Sequence, residues 1–145
     1  MVASPMRRQL RLLWRLFMPM WTSSLAAASK VESYNALLAE RAVSLNNRGV
    51  SVIIVDQHTG FDIEADTRDG VHPNCAGDRK MAERWANALH SLGEAVWKNV
   101  SIMPLGDSIT FGSYRLNLWE ILRTEGAEVN FVGRKSGGGA CPGRH

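Results

Sequence analysis

Hydrophobic residues in the first regular part of the chain recur every three or four positions, the spacing of an amphipathic helix. The segment Asn46–Gly49 ends this pattern with helix-stopping residues. The continuous β-branched run Val50–Val55 comes next and is typical of a strand buried on both faces of a parallel sheet. The helical positions are Val31, Tyr34, Leu37, Leu38, Ala42 and Leu45. This part of the chain therefore predicts a helix followed by a strand.

The same alternation continues towards the C-terminus. A polar loop, Asp56–Asn74, leads to a second amphipathic helix, whose apolar positions are Met81, Trp85, Ala88, Leu89, Leu92 and Val96. A second unit follows, with a strand at Ser101–Leu105, a turn at Gly106–Ser108 and a third helix carrying Tyr114, Leu118, Ile121 and Leu122 up to Gly126. The run Val129–Gly133 predicts a further strand. Strands alternating with helices indicate an α/β fold with parallel strands and no internal repeat.

The first 29 residues allow two interpretations. A basic start, an apolar middle and the small-residue stretch Ser23–Ser29 follow the order of a secretory signal, which would make the protein secreted. Arg15 and Pro19 interrupt the apolar part, and the alternative is a buried strand over Leu12–Met18. No stretch reaches the length of a membrane span. Residues 30–96 and 97–134 then form the two structured parts, and the glycine-rich tail 135–145 is expected to be flexible.

Composition narrows the function classes. The 145 residues suit one domain or parts of two, and their charge is +3, from 17 Lys and Arg against 14 Asp and Glu. The basic residues cluster at the two ends without any nucleic-acid-binding motif, so we do not expect a nucleic-acid partner. The two cysteines, Cys75 and Cys141, leave one disulfide open but provide no disulfide framework.

Ser108 stands where a predicted buried strand turns into a helix. Such a position holds a serine rigidly, and backbone N–H groups of the turn can face a developing oxyanion. A serine hydroxyl still needs a base to become a nucleophile. The loop Asp69–Asn74 offers His72, and Asp69, three residues earlier, can bond one ring nitrogen and leave the other free to take the serine proton. Asn74 is placed to cap the helix that follows.

Together, Gly106–Thr110 after an apolar strand and Asp69–Asn74 before an amphipathic helix resemble the SGNH hydrolases, also called GDSL esterases and lipases. The wider stretch Ile102–Thr110 is most similar to carbohydrate esterases of the acetylxylan-esterase type, and Val129–Gly133 resembles the family's second strand. The likeness covers residues 31 to 134.

The resemblance implies a flavodoxin-like three-layer α/β/α sandwich, here incomplete, with about three parallel strands and three helices. It implies hydrolysis of an acyl ester, often an acetyl group on a sugar, with an acylated carbohydrate or small ester as substrate. Ser108 would be the nucleophile and its backbone N–H an oxyanion donor. His72 would be the general base and Asp69 its orienting carboxylate. No cofactor and no metal are implied.

The order of the two blocks departs from the family pattern, in which the serine block opens the domain and the Asp-His block closes it. The blocks that supply a glycine N–H and an asparagine side chain to the oxyanion hole have no match, since no Gly-x-Asn-Asp occurs. The chain then spans a junction between tandem domains or is a permutation that lacks its middle. An alternative to the esterase is an inactive fragment that serves as a structural or binding module.

The incomplete set of strands also predicts the distance between the two blocks. With few strands between the two blocks, we expect the His72 Nε2 and Ser108 Oγ atoms to lie beyond hydrogen-bond distance, which would make the chain a poor enzyme. Open sheet edges would favour self-association. The acidic stretch from Asp56 to His72 does not follow a calcium-loop pattern, so we expect no metal there.

Overall fold

The computed structural model describes residues 12–15, 25–106 and 108–133. Of the signal-like segment 1–29, most lies outside these ranges, as does the predicted tail 135–145. Helices and strands alternate, so the protein is a mixed α/β structure. The elements are β1 (Leu12–Arg15), α1 (Leu25–Asn47), β2 (Val52–Val55), α2 (Ile63–Asp66), α3 (Cys75–His90), α4 (Glu94–Trp97), β3 (Asn99–Ile102), α5 (Tyr114–Thr124) and β4 (Glu128–Phe131).

The four strands form two parallel pairs. β1 pairs with β2 in a register that sets Leu12 opposite Val52, and β3 pairs with β4 with Asn99 opposite Glu128. Parallel pairing confirms the predicted parallel strands. The strand β1 covers Leu12–Arg15, and the rest of the predicted strand Leu12–Met18 lies outside the described residues. Within the described residues the pairs remain two separate two-stranded sheets. β2 covers only Val52–Val55 of its predicted run, whereas β3 begins at Asn99 and ends at Ile102, two residues before the start and three before the end of the predicted strand.

Helix α1 ends where its sequence predicted but begins at Leu25, six residues earlier than the apolar pattern. Gly49, with φ of 82°, takes the backbone out of the helix. The side chain of Asn46 then fixes the start of β2, because its Nδ2 donates to the Val52 carbonyl and its Oδ1 accepts from the Val52 N–H, both at 2.9 Å. These two hydrogen bonds join the C-terminal end of α1 to the strand that follows it.

Two elements differ from the sequence prediction. The polar loop Asp56–Asn74 contains the one-turn helix α2, which Asp62 caps by accepting from the N–H groups of Glu64 and Ala65. The long helix predicted up to Val96 is broken after His90, because Gly93 takes a φ of 88° and starts the separate helix α4. Local capping and a glycine turn therefore override the longer apolar periodicity.

The core lies between α3 and α5. Ala82, Ala86 and Leu89 of α3 pack with Leu118 and Leu122 of α5, all of them buried. Removing such side chains from water stabilises a fold by about 1.5–3 kcal/mol for each large one. The two helices run in the same direction, since hydrogen bonds join their N-terminal ends (Asp78 with Ser113) and their C-terminal ends (His90 with Glu125).

A second buried cluster lies at the N-terminal ends of the same two helices. It consists of Phe61, Met81, Ile109 and Tyr114, and Trp85 packs against both clusters. Ile109 directly follows Ser108 in the chain, so this cluster fixes the backbone beside the predicted nucleophile. Trp85 belongs to the packing between the helices, as its helical spacing predicted.

In the described ranges, no helix has both the length and the apolar character needed to cross a membrane.

We expect Gly77→Ala to destabilise the fold. A Cβ at Gly77 would fall inside contact distance of the Asp66 carbonyl oxygen and 3.0 Å from Phe61 Cζ. Helix propensity alone would favour alanine there by about 1 kcal/mol, whereas overpacking costs about 1–3 kcal/mol. Urea unfolding should therefore show a lower free energy of unfolding for Gly77→Ala. Asn87→Ala, at an exposed position of the same helix, is the control. A Gly77→Ala variant that is more stable than wild type would contradict the close approach of Gly77 to Asp66.

Candidate active site

A tight loop presents the Asp-His pair. An isolated antiparallel bridge joins Thr67 to Pro73, and the Arg68 N–H donates to the His72 carbonyl at 3.0 Å. Gly70, with φ of 80°, makes the reversal, and its N–H donates to Thr67 Oγ1 at 2.8 Å. The loop is thus closed by its own hydrogen bonds, and it projects Asp69 and His72 on the same side.

Asp69 binds His72 through both backbone and side chain. Its Oδ1 accepts from the N–H groups of Val71 and His72 at 3.0 and 2.7 Å, and its Oδ2 lies 2.7 Å from His72 Nδ1. The hydrogen bond from the His72 backbone, with that from the imidazole, lowers the pKa of Asp69 to about 2. An ionised Asp69 can only accept, so Nδ1 carries the proton and Nε2 of the neutral ring is left as an acceptor.

Asn74, the last residue of the loop, holds the loop to the residues that precede it. Its Nδ2 donates to the carbonyls of Ala65 and Thr67 at 2.7 and 3.2 Å, while its Oδ1 caps α3 by accepting from the N–H groups of Ala76 and Gly77. The predicted capping role of Asn74 is therefore confirmed. The same side chain also ties the base of the loop to the end of α2.

An ion pair between Lys80 and the buried carboxylate of Asp66 supports the lower end of the loop. Asp66, only 3% exposed, accepts from Lys80 Nζ and from the Asp62 N–H. Burial acts to raise the pKa of Asp66, but the hydrogen bonds from Lys80 and Asp62 outweigh it and keep that pKa below its usual range. The buried carboxylate therefore stays charged and paired, and it holds α2 to α3 beside the loop.

The serine turn follows β3. Gly106 takes a φ of 154°, and a Cβ there would collide with the Thr110 side chain, so only glycine fits. The turn closes with a hydrogen bond from the Gly112 N–H to the Ile109 carbonyl at 3.0 Å, while Ile109 is buried. Ser108 is exposed between these points. Asp107 is not among the described residues.

The loop and the turn meet in space. His72 Nε2 lies 3.0 Å from Ser108 Oγ, although the residues are 36 positions apart. The expectation that these atoms lie beyond hydrogen-bond distance is therefore wrong. That expectation placed both groups on one sheet with missing strands between them. Instead, β2 and β3 belong to separate pairs, and the parallel packing of α3 and α5 brings together the segments that precede the two helices.

All three sequence-predicted residues thus form one chain of hydrogen bonds, Asp69 to His72 to Ser108. The chain is open to solvent, since the side chains of His72 and Asp69 are 32% and 48% exposed. A polarised serine hydroxyl beside a neutral imidazole nitrogen can attack an electrophilic carbon, and no metal is required for that chemistry.

The acidic residues around the loop have other partners. Asp56 accepts from the N–H groups of His58 and Thr59, and Asp62 and Asp66 hold α2 as described. Among the described residues, no group of three or more His, Cys, Asp or Glu side chains is arranged to hold a metal ion.

Several residues that build the site were not found from the sequence. Lys80 and Asp66 gave no signal, because their pairing depends on how α2 meets α3. Asp78 did give a signal in the sequence. It lies three residues before Met81 and four before Ala82, so it places a charged residue on the apolar stripe of α3. A charged residue on a buried helix face needs a partner on the facing element.

No protein-family model, curated protein or solved structure matches the chain.

The lowered pKa of Asp69 predicts a pH-dependent contribution to stability. A depressed carboxyl pKa stabilises the fold above the unfolded-state value of 3.8, and this contribution is lost as the pH falls towards about 2. The gap in unfolding free energy between wild type and Asp69→Asn should shrink over that range. Thermal unfolding of both proteins at several pH values between about 2 and 6 measures it. A gap that is constant with pH would contradict the hydrogen bonding assigned to Asp69.

Proposed function

We propose that this protein is a serine esterase of the SGNH type, in which Ser108 is the nucleophile, His72 the general base and Asp69 the carboxylate that orients it. The observation that carries the proposal is the 3.0 Å approach of His72 Nε2 to Ser108 Oγ, with Asp69 bound to the opposite ring nitrogen. The motif resemblance supports the same assignment. The family's flavodoxin-like layering is part of the proposal, and the parallel β3–α5–β4 unit is compatible with it.

In the proposed reaction, Ser108 Oγ attacks the ester carbonyl carbon as its proton passes to His72 Nε2. The imidazolium that forms is stabilised by the Asp69 carboxylate, and the carbonyl oxygen becomes an oxyanion facing the Ser108 backbone N–H. Collapse of the tetrahedral intermediate breaks the bond to the alcohol oxygen, which takes the proton from Nε2. The acyl group is then attached to Ser108.

Hydrolysis of the acyl-enzyme repeats these steps with water as nucleophile. His72 Nε2 takes a water proton, the hydroxide oxygen bonds to the acyl carbon, and the proton returns to Ser108 Oγ as the acid leaves. The exposed position of the three side chains gives water direct access. The sequence lacks the Gly-x-Asn-Asp block, and a missing oxyanion donor costs about 10²–10³-fold in turnover, so we expect slow catalysis.

The proposed substrate is an acylated carbohydrate or a small ester, with acetyl as the first acyl group to test. An open surface site admits an ester carried on a large sugar polymer as well as a small one. We further propose that the protein is secreted, because Cys75 is held in a disulfide, a bond that persists in oxidising compartments. Among the described residues, the short parallel strand pairs also leave edges, and we propose that copies of the chain associate through them.

An active-site fluorophosphonate probe tests the nucleophile. We expect covalent labelling of the folded wild-type chain at Ser108 and its loss in Ser108→Ala, because this hydroxyl is hydrogen-bonded to a histidine that a carboxylate orients. Ser101→Ala is the matched control, since Ser101 is also exposed and lies on the preceding strand. Peptide mapping locates the label. A folded wild-type protein that takes no label would favour the inactive-module alternative.

Asp69→Asn should lower turnover of a chromogenic acetyl ester by up to about 10⁴-fold, because an asparagine amide stabilises the wrong imidazole tautomer. Because the pKa of Asp69 is about 2, its carboxylate stays ionised from mildly acidic to mildly alkaline pH, and the deficit of Asp69→Asn should persist over that range. Initial rates of both proteins at several pH values check this. Full activity in Asp69→Asn would remove the pair from the mechanism.

A further inference from the structure

A buried carboxylate connects the two halves of the site, the His72 loop and the Ser108 turn. Asp78 belongs to α3, the helix that follows the His72 loop, and is only 4% exposed. It accepts a hydrogen bond from Ser113 Oγ, and the backbone N–H groups of Ser113 and Tyr114 also donate to it. Burial raises the pKa of Asp78, against the effect of these donors.

These donors form the first turn of α5. The Ser113 side chain makes no capping bond to its own helix, so the cap of α5 is supplied from α3 by Asp78. A helix start leaves backbone N–H groups without partners inside the helix, and an acceptor there stabilises it, usually by about 1 kcal/mol. Here the acceptor belongs to a different element, so the cap also fixes the position of one helix against the other.

The serine turn ends at this same point. Gly112 precedes Ser113, and a Cβ on Gly112 would lie 3.2 Å from Asp78 Oδ1 and 2.9 Å from the Ile109 carbonyl oxygen. The turn that begins at Ser108 is therefore packed directly onto the Asp78 carboxylate. On the α3 side, the Asp78 N–H donates to the Asn74 carbonyl at 2.8 Å, and Asn74 anchors the His72 loop.

We propose that Asp78 is a positioning residue for the esterase site: by capping α5 from α3, it holds Ser108 Oγ at hydrogen-bond distance from His72 Nε2. This inference rests on the proposed function, since the alignment matters for catalysis only if Ser108 is the nucleophile. One connection between the His72 loop and the Ser108 turn runs from His72 through Asn74 to Asp78, and from there through Ser113 and Gly112 to Ser108. A displacement of about 1 Å at a reacting group can cost about 10²-fold in rate.

The test measures the His72–Ser108 coupling directly, without substrate. In ¹⁵N-labelled protein, the His72 Nε2 chemical shift is compared with and without Ser108→Ala, in the wild-type and Asp78→Ala backgrounds. We expect Ser108→Ala to move this resonance in wild type and to leave it unmoved in Asp78→Ala, with both proteins folded by circular dichroism. Asp78→Asn keeps an acceptor oxygen of the same size and should retain coupling that alanine loses.

Two controls separate positioning from stability. Glu83→Gln changes an exposed carboxylate on the same helix, and Ile121→Ala weakens the α5 packing away from the cap. Both should keep the full Ser108→Ala effect on Nε2. If Asp78→Ala does not fold, Ser113→Ala removes one of the three donors and should reduce the effect.

The outcomes separate this inference from the proposed function. If Ser108→Ala moves the Nε2 resonance equally in the wild-type and Asp78→Ala backgrounds, the positioning role is overturned and the esterase proposal stands. The same conclusion follows from a full effect in the Ser113→Ala background, where that variant replaces Asp78→Ala. No effect in wild type overturns both. A coupling that depends on Asp78 in a protein that takes no fluorophosphonate supports the positioning role while the esterase proposal fails. In an active protein, Asp78→Ala should slow labelling by about 10²-fold.

Discussion

The parallel packing of α3 on α5 is the interaction on which the rest of the structure depends. The His72 loop leads into the first helix and the Ser108 turn into the second, so any change in the offset between these helices changes the distance between the two groups. Apolar contacts such as Ala86 and Leu89 against Leu118 supply the attraction. Apolar burial is not directional, and the hydrogen bonds at the two helix ends fix the register.

The two hydrogen bonds that link Asp69, His72 and Ser108 differ in origin. Asp69 and His72 are three residues apart, and their contact is made inside a loop closed by Gly70 and by the bridge from Thr67 to Pro73. That contact needs little of the rest of the fold. The bond from His72 to Ser108 joins residues 36 positions apart and exists only when both helices are in place. The His72 ring is therefore oriented locally, whereas Ser108 is brought to it by tertiary structure.

Exposure is the main physical limit on this site. Buried, water-excluded sites strengthen the interaction between an imidazolium, its carboxylate and an oxyanion, and solvent weakens all of these. Here the charged partners of the proposed reaction lie at the surface, whereas the buried carboxyl groups of Asp66 and Asp78 lie underneath and hold the helices together. The molecule thus uses its low-dielectric interior for alignment more than for transition-state stabilisation.

The sequence by itself determined the features that depend on neighbouring residues. It predicted the alternating helices and parallel strands, the helix stop before Gly49, the cap at Asn74 and the Asp69–His72 pair, because periodicity, capping and short turns act over a few residues. The sequence prediction failed where contacts between distant segments determine the structure. The Lys80–Asp66 pair, the cap of α5 by Asp78 and the 3.0 Å approach of His72 to Ser108 all require knowing which helix faces which. Counting strands predicted separated groups, but helix packing set the distance, because the loop and the turn are carried on the N-terminal ends of two helices that lie side by side.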